Sequence, residues 1–173
     1  MTLLEQFKQI TTFVFDVDGV LTDGSLLILP GGVMARTMNV KDGYALQLAV
    51  KRGYKVIVIS GGVSEEVRDR LTRLGIEDVF MKVTDKITLL TQHLQQLNIG
   101  WEEVLFMGDD IPDLDVMKKV GLPCCPIDAV QEIKEAALYI SPIPGGSGCG
   151  REVIEKVMKL RGNWNEDTAI PST

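Results

Sequence analysis

The hydrophobic pattern alternates between two textures along the chain. Unbroken apolar runs at residues 12–15, 55–60, 78–81, 104–107 and 123–125 predict short strands buried on both faces, the environment of a parallel sheet. Between them, residues 44–51, 64–74, 85–97, 113–120 and 130–136 carry apolar side chains at helical spacing. Strands and helices in alternation predict a doubly wound α/β fold around a parallel sheet. One segment departs from this rhythm. Residues 25–40, centred on Pro30-Gly31-Gly32, predict a β-hairpin inserted after the first strand. An isolated hairpin is marginal in water, and Leu26-Leu27-Ile28-Leu29 is too apolar for an exposed ribbon, so it is expected to pack against another subunit. Nothing in the pattern divides residues 1–173, which are expected to form a single domain. The polar stretch 163–173 is expected to be a mobile tail in a lone protomer.

Two strand ends deliver aspartates. Asp16-Val17-Asp18-Gly19-Val20 follows the first apolar run, and Gly108-Asp109-Asp110-Ile111-Pro112-Asp113 follows the fourth. Burying carboxylates this close together is costly unless a cation compensates them. In an open α/β sheet, ligands bind beyond the carboxyl ends of the strands, where Ser60 and Lys86 also fall. These groups fit phosphoryl chemistry. One carboxylate attacks phosphorus, and a second moves the proton of the leaving group and then of water. A hydroxyl and an ammonium hold phosphoryl oxygens, and a hard cation such as Mg²⁺ takes oxygen ligands. A calcium loop starting at Asp16 is ruled against because Val20 and Leu27 stand where oxygen ligands are needed. A helix-capping role for Asp109-Asp110 explains only one of the two acidic motifs.

Composition narrows the function further. The net charge of −6 over 173 residues argues against nucleic-acid binding, which leaves a basic footprint. No apolar run approaches the ~20 residues of a membrane span, and residues 1–8 lack a signal-peptide layout, so a cytoplasmic location is expected. Cys124, Cys125 and Cys149 form neither a disulfide framework nor a metal pair. The only histidine, His93, is expected to be exposed and without a catalytic role.

The four motifs, in order, resemble the haloacid dehalogenase superfamily of phosphatases. That resemblance implies Asp16 as nucleophile, Asp18 as acid/base, Ser60 and Lys86 as phosphate contacts, and Mg²⁺ held by Asp16, the Asp18 carbonyl and Asp109. Asp110 and Asp113 would support them. Residues 16–24, Asn39-Val40-Lys41-Asp42-Gly43-Tyr44 and the stretch 145–152 are similar to the 3-deoxy-D-manno-octulosonate 8-phosphate phosphatases, and the similarity spans roughly residues 8–160. This family lacks a cap domain and forms tetramers through its hairpins. It implies a sugar acid phosphate substrate and a step in lipopolysaccharide precursor synthesis. Its substrate contacts map to Asp18, Asn39, Val40, Lys41, Asp42, Gly43, Gln47, Gly61, Arg70 and Lys86. The glycines of residues 145–150 read either as a backbone-amide nest or as a flexible turn. Two departures stand out. Gly62 replaces an arginine common in the family, and Met81-Lys82 replaces Gln-Gly, with Lys82 open as a substitute anion contact. Two alternatives therefore stay open: a phosphatase for a nine-carbon sugar acid 9-phosphate (2-keto-3-deoxynononate or neuraminate type), and a non-catalytic assembly module.

Overall fold

The computed structural model describes residues 1–171. Its frame is a six-stranded parallel sheet in the order β5-β4-β1-β6-β7-β8. The strands are β1 (Thr12–Phe15), β4 (Lys55–Ile59), β5 (Asp78–Phe80), β6 (Val104–Met107), β7 (Leu122–Cys125) and β8 (Tyr139–Ile140). All five pairings are parallel, with Phe15 opposite Val58 on one side and Met107 on the other. Because successive strand residues point to opposite faces, two apolar cores form. Phe13, Phe15, Val58, Leu105 and Cys124 face one core, and Val14, Ile57, Ile59, Phe106 and Cys125 face the other. The first is covered by α1 (Leu3–Gln9), α2 (Val40–Lys51), α3 (Glu65–Arg73) and α7 (Cys149–Leu160), the second by α4 (Lys86–Leu97), α5 (Leu114–Met117) and α6 (Gln131–Ala136). All three cysteines are free and buried. No described helix is long and apolar enough to cross a membrane.

The hairpin is present but shorter than the sequence pattern predicts. Only β2 (Leu27–Ile28) and β3 (Met34–Ala35) pair, antiparallel, because Asn39 turns the chain into α2 by accepting the Lys41 amide at 2.8 Å. Its side chains remain in water in the lone protomer, Leu27 at 64% and Ile28 at 71% exposure. As far as it is described, the tail expected to be mobile lies along α2. Lys51 pairs with Asp167 at 2.6 Å, Tyr44 accepts the Asp167 amide at 3.0 Å, and Ile170 packs on the core. Residues 172 and 173 lie outside the described residues. His93 is also not exposed as expected: its ring meets Phe80 edge-on at 5.0 Å and faces Asp78 at 3.1 Å.

Candidate active site

Sheet order explains why the two acidic motifs meet. The chain goes from β1 to β4 and β5 on one side and then crosses to β6, β7 and β8 on the other. The crevice between the β4 and β6 directions therefore opens at the carboxyl end of β1, the switch point where such sheets bind ligands. Asp16 leaves β1 there, with its amide donating to the Met107 carbonyl at 3.1 Å. Ser60 ends β4 with its amide on the Phe80 carbonyl at 2.8 Å. Lys86 opens α4, and Asp109 follows β6.

Carboxylate oxygens of Asp16, Asp109 and Asp113 lie within 4.8 Å of one another. Lys86 is buried among them, 3.0 Å from Asp16 and 2.6 Å from Asp113. Asp113 also accepts the Asp109 amide at 3.1 Å, so it fixes both neighbours. Gly19 makes this closeness possible. Its φ of +89° suits glycine, and a Cβ would overlap the Asp109 carboxylate. Thr22, fully buried, ties the loop by accepting the amides of Gly19 at 3.3 Å and Gly24 at 3.2 Å.

The electrostatics follow from crowding acids in a dry place. Burial, with Asp113 nearby and Lys86 opposing, pushes Asp16 up to about 6. Burial, joined by repulsion from Asp16, Asp113 and Asp110, pushes Asp109 up to about 8. Burial pulls Lys86 down, but Asp16 and Asp113 outweigh it and hold the ammonium above its ordinary value. One Asp109 oxygen is buried with no hydrogen-bond partner. All-oxygen donors, excess negative charge and an unpartnered carboxylate oxygen fit a small hard cation, Mg²⁺ above all.

Asp18 is half-buried, and the sequence reading missed its partner. Arg36, at the foot of the hairpin, grips it with Nε to Oδ1 at 2.6 Å and Nη2 to Oδ2 at 3.2 Å. A lone cation in the run Val33-Met34-Ala35-Arg36-Thr37-Met38 was the available signal. Ser60 lies close by: a Cβ built on Gly62 would be 2.9 Å from Asp18 Oδ2 and 3.4 Å from Ser60 Oγ. Asp110 turns outward and caps the next turn by accepting the Ile111 amide at 2.8 Å.

The other expected substrate contacts are scattered. Val40 and Arg70 line a cavity between the hairpin and α3, beside Arg36. Lys41 instead faces a groove against α7. Asp42 is 2% exposed and accepts the Arg151 amide at 2.7 Å, so it braces the start of α7. Gly43 is buried in the first turn of α2, and Gly61 is exposed just after Ser60. The Gln47 amide donates to the Pro171 carbonyl of the tail. Lys82 is exposed, with left-handed backbone. The glycine loop is neither a nest nor a loose turn. Gly145 N–H donates to Asp128 at 2.9 Å and Gly146 N–H to the Val20 carbonyl at 2.9 Å. A Cβ on Gly145 would overlap the Gly19 carbonyl, so this loop is a close-fitting brace for the first acidic loop.

Asp42 carries a testable consequence. Burial raises its folded pKa to about 6, against an ordinary value of 3.8, so the folded state holds the extra proton. Its contribution to stability is therefore present at low pH and lost as pH rises from about 4 through 6. Asp42→Ala removes the acceptor for Arg151 and should destabilise by roughly 1–3 kcal/mol at pH 5 in urea unfolding. The penalty should shrink at pH 8, where the wild type buries a charge; an equal penalty at both pH values would contradict this assignment.

Fold and site together define a haloacid dehalogenase-like hydrolase, and the profile of that family matches residues 72–144, which include Lys86, Asp109 and Asp113. The chain is 33% identical over 164 residues to the 3-deoxy-D-manno-octulosonate 8-phosphate phosphatase KdsC of Escherichia coli K12, covering 95% of this chain and 87% of that protein. It belongs to the KdsC phosphatase family. Solved structures agree. A probable YrbI family phosphatase from Pseudomonas syringae pv. phaseolica is 38% identical with a TM-score of 0.91, covering 94% of this chain and 92% of that one. The Moraxella catarrhalis 3-deoxy-D-manno-octulosonate 8-phosphate phosphatase, solved with magnesium, phosphate and KDO, is 30% identical with a TM-score of 0.90, covering 93% and 92%. As in those folds, a six-stranded parallel sheet flanked by helices is present and no cap domain is found among the described residues.

Proposed function

We propose that the chain acts as one phosphatase domain that hydrolyses 3-deoxy-D-manno-octulosonate 8-phosphate to the free sugar acid and phosphate, with Mg²⁺ as cofactor, in lipopolysaccharide precursor synthesis. The observation that carries this is Asp16, held by Lys86 at 3.0 Å and ringed by Asp109 and Asp113 at the switch point. The Moraxella relative, with magnesium, phosphate and KDO together, supports the substrate class. Asp16, Asp109 and the backbone carbonyl of Asp18 would hold the Mg²⁺, which would supply charge neutralisation to the phosphoryl group.

The residues divide the work. An Asp16 carboxylate oxygen attacks phosphorus, and the bond to the sugar oxygen breaks as Asp18 gives that oxygen a proton. Water then attacks the aspartyl-phosphate while Asp18 takes the water's proton, releasing phosphate and restoring Asp16. Ser60 Oγ and the Lys86 ammonium hold phosphoryl oxygens. Asp113 orients Lys86, and Asp110 supports the loop as its cap. Sugar-acid recognition falls first to Val40 and Arg70, which line the cavity beside Arg36, while Asp42 acts indirectly by bracing α7. Side-by-side phosphate release from the eight-carbon and nine-carbon 2-keto-3-deoxy acid phosphates tests the reading. Preference for the eight-carbon ester is expected, and preference for the nine-carbon ester would move the enzyme to the alternative substrate.

The assembly is a homotetramer, in a cytoplasmic setting. Leu26, Leu27, Ile28, Leu29, Val33 and Met34 form an exposed apolar ribbon on two short strands, which another copy would bury. Sedimentation equilibrium should give a tetramer for the native chain. Leu27→Asp with Ile28→Asp should give smaller species, and a native monomer would exclude the hairpin interface.

A further inference from the structure

This inference rests on the phosphatase reading and assigns a role to Arg36 and Gly62 that the four motifs do not contain. Gly62 is not in the left-handed region, so its backbone does not call for glycine; the space above it does. A Cβ there would lie 2.8 Å from Arg36 Nη2 and 2.9 Å from Asp18 Oδ2. The guanidinium and the Asp18 carboxylate therefore crowd the place a side chain at position 62 would take, and both would have to shift to admit one. Arg36 reaches this place from the hairpin, and its side chain is only 5% exposed.

The donor count shows what Arg36 has left to offer. A guanidinium carries five N–H donors. Two bind the Asp18 carboxylate, and one donates from Nη1 to the Met34 carbonyl at 3.0 Å. Two stay uncommitted, so Arg36 can bind an anion without leaving Asp18. Its surroundings say where that anion sits. Asp18 serves the oxygen of the leaving group, so Arg36 stands on the leaving-group side of the phosphoryl site. It also lines, with Met34, Met38, Val40 and Arg70, the cavity of about 460 Å³ between hairpin and α3. Three arginines, Arg36, Arg70 and Arg73, against the single carboxylate of Glu66 make this cavity next to the acid/base net positive, which fits a leaving group that itself carries a carboxylate; guanidinium binds one in a planar, two-pronged manner.

We propose that Arg36 is a specificity-determining residue that binds the carboxylate-bearing leaving group of the substrate, and that glycine at position 62 leaves its place uncrowded. The test compares 3-deoxy-D-manno-octulosonate 8-phosphate with p-nitrophenyl phosphate, which shares the phosphoryl group but lacks a carboxylate, using the full chain with Mg²⁺. Arg36→Ala should lower the ratio of the two kcat/KM values at least tenfold, chiefly through KM for the sugar acid phosphate. Gly62→Ala should lower the ratio in the same direction by displacing the guanidinium, and Arg36→Ala with Gly62→Ala should be no worse than Arg36→Ala alone. Arg36→Lys, with thermal melting alongside, guards against loss of fold and should recover part of the ratio. A ratio that stays within twofold in Arg36→Ala overturns the proposal. So does an equal fall on both substrates carried by kcat, which would make Arg36 a positioning residue for Asp18. A native enzyme inactive on both substrates would overturn the phosphatase reading itself, an outcome distinct from either of these.

Discussion

Asp16→Asn is expected to lower phosphate release by on the order of 10⁴-fold or more, the scale lost when a nucleophile is removed. The amide keeps the shape of the side chain but cannot displace the sugar oxygen from phosphorus. Fold and assembly should survive, because Asp16 adds repulsion rather than cohesion to its cluster. Burial and Asp113 push it up to about 6, more than Lys86 and the Val17 amide offset. Removing that charge at neutral pH should leave the melting temperature of the metal-free protein equal or higher. A variant that loses activity by unfolding would show the reverse, and activity retained within tenfold would remove Asp16 from the nucleophile's role.

The second large effect concerns Mg²⁺ and pH. Asp109 sits at about 8 in the metal-free fold against an ordinary 3.8, so the folded state holds more protons than the unfolded chain across that window. Metal-free stability from this group is therefore highest at low pH and falls as pH rises toward 8. A bound cation reverses the preference, because it needs the carboxylate and displaces the proton. The gain in melting temperature on adding Mg²⁺ should thus grow between pH 6 and pH 8. With Mg²⁺ at a hundredfold excess over Kd, the gain is about 2.7 kcal/mol, or roughly 5–10 °C for a domain of this size. Asp109→Asn should abolish the gain while raising the metal-free melting temperature at pH 8. A Mg²⁺ shift that persists in Asp109→Asn would place the cation elsewhere.

The parts of the fold that the sequence made legible are those where burial is continuous. The runs ending at Phe15, Ile59 and Met107 are buried on both faces, so their apolar character is unbroken and their ends mark the crevice. The acidic motifs were legible for the same reason, since a carboxylate directly after such a run must be buried or functional. What escaped notice depends on weaker or longer-range forces. The N-terminal helix was signalled only by the Thr2 to Glu5 capping box, and β8 pairs just two residues with β7. The tail's seat on α2 rests on Tyr44 and Lys51 meeting Asp167 and on Tyr44 meeting Trp164, all partners over a hundred residues apart. Arg36 lies 18 residues from Asp18 on an inserted ribbon, and no local period brings them together. Asp42 shows the converse. Its motif pointed to substrate, while its side chain is turned into the body to hold α7.

The most direct test of the account is to quench the Asp18→Asn variant, loaded with Mg²⁺, after mixing with 3-deoxy-D-manno-octulosonate 8-phosphate, and to map the phosphoryl group by mass spectrometry. The variant keeps the nucleophile but lacks the group that protonates the leaving oxygen and then activates water, so both steps slow, and after an incubation long enough for the first, phosphate is expected on the peptide containing Asp16 at more than trace occupancy. Sugar acid released with no phosphoryl group on Asp16, or a phosphoryl group on another residue, would contradict the account.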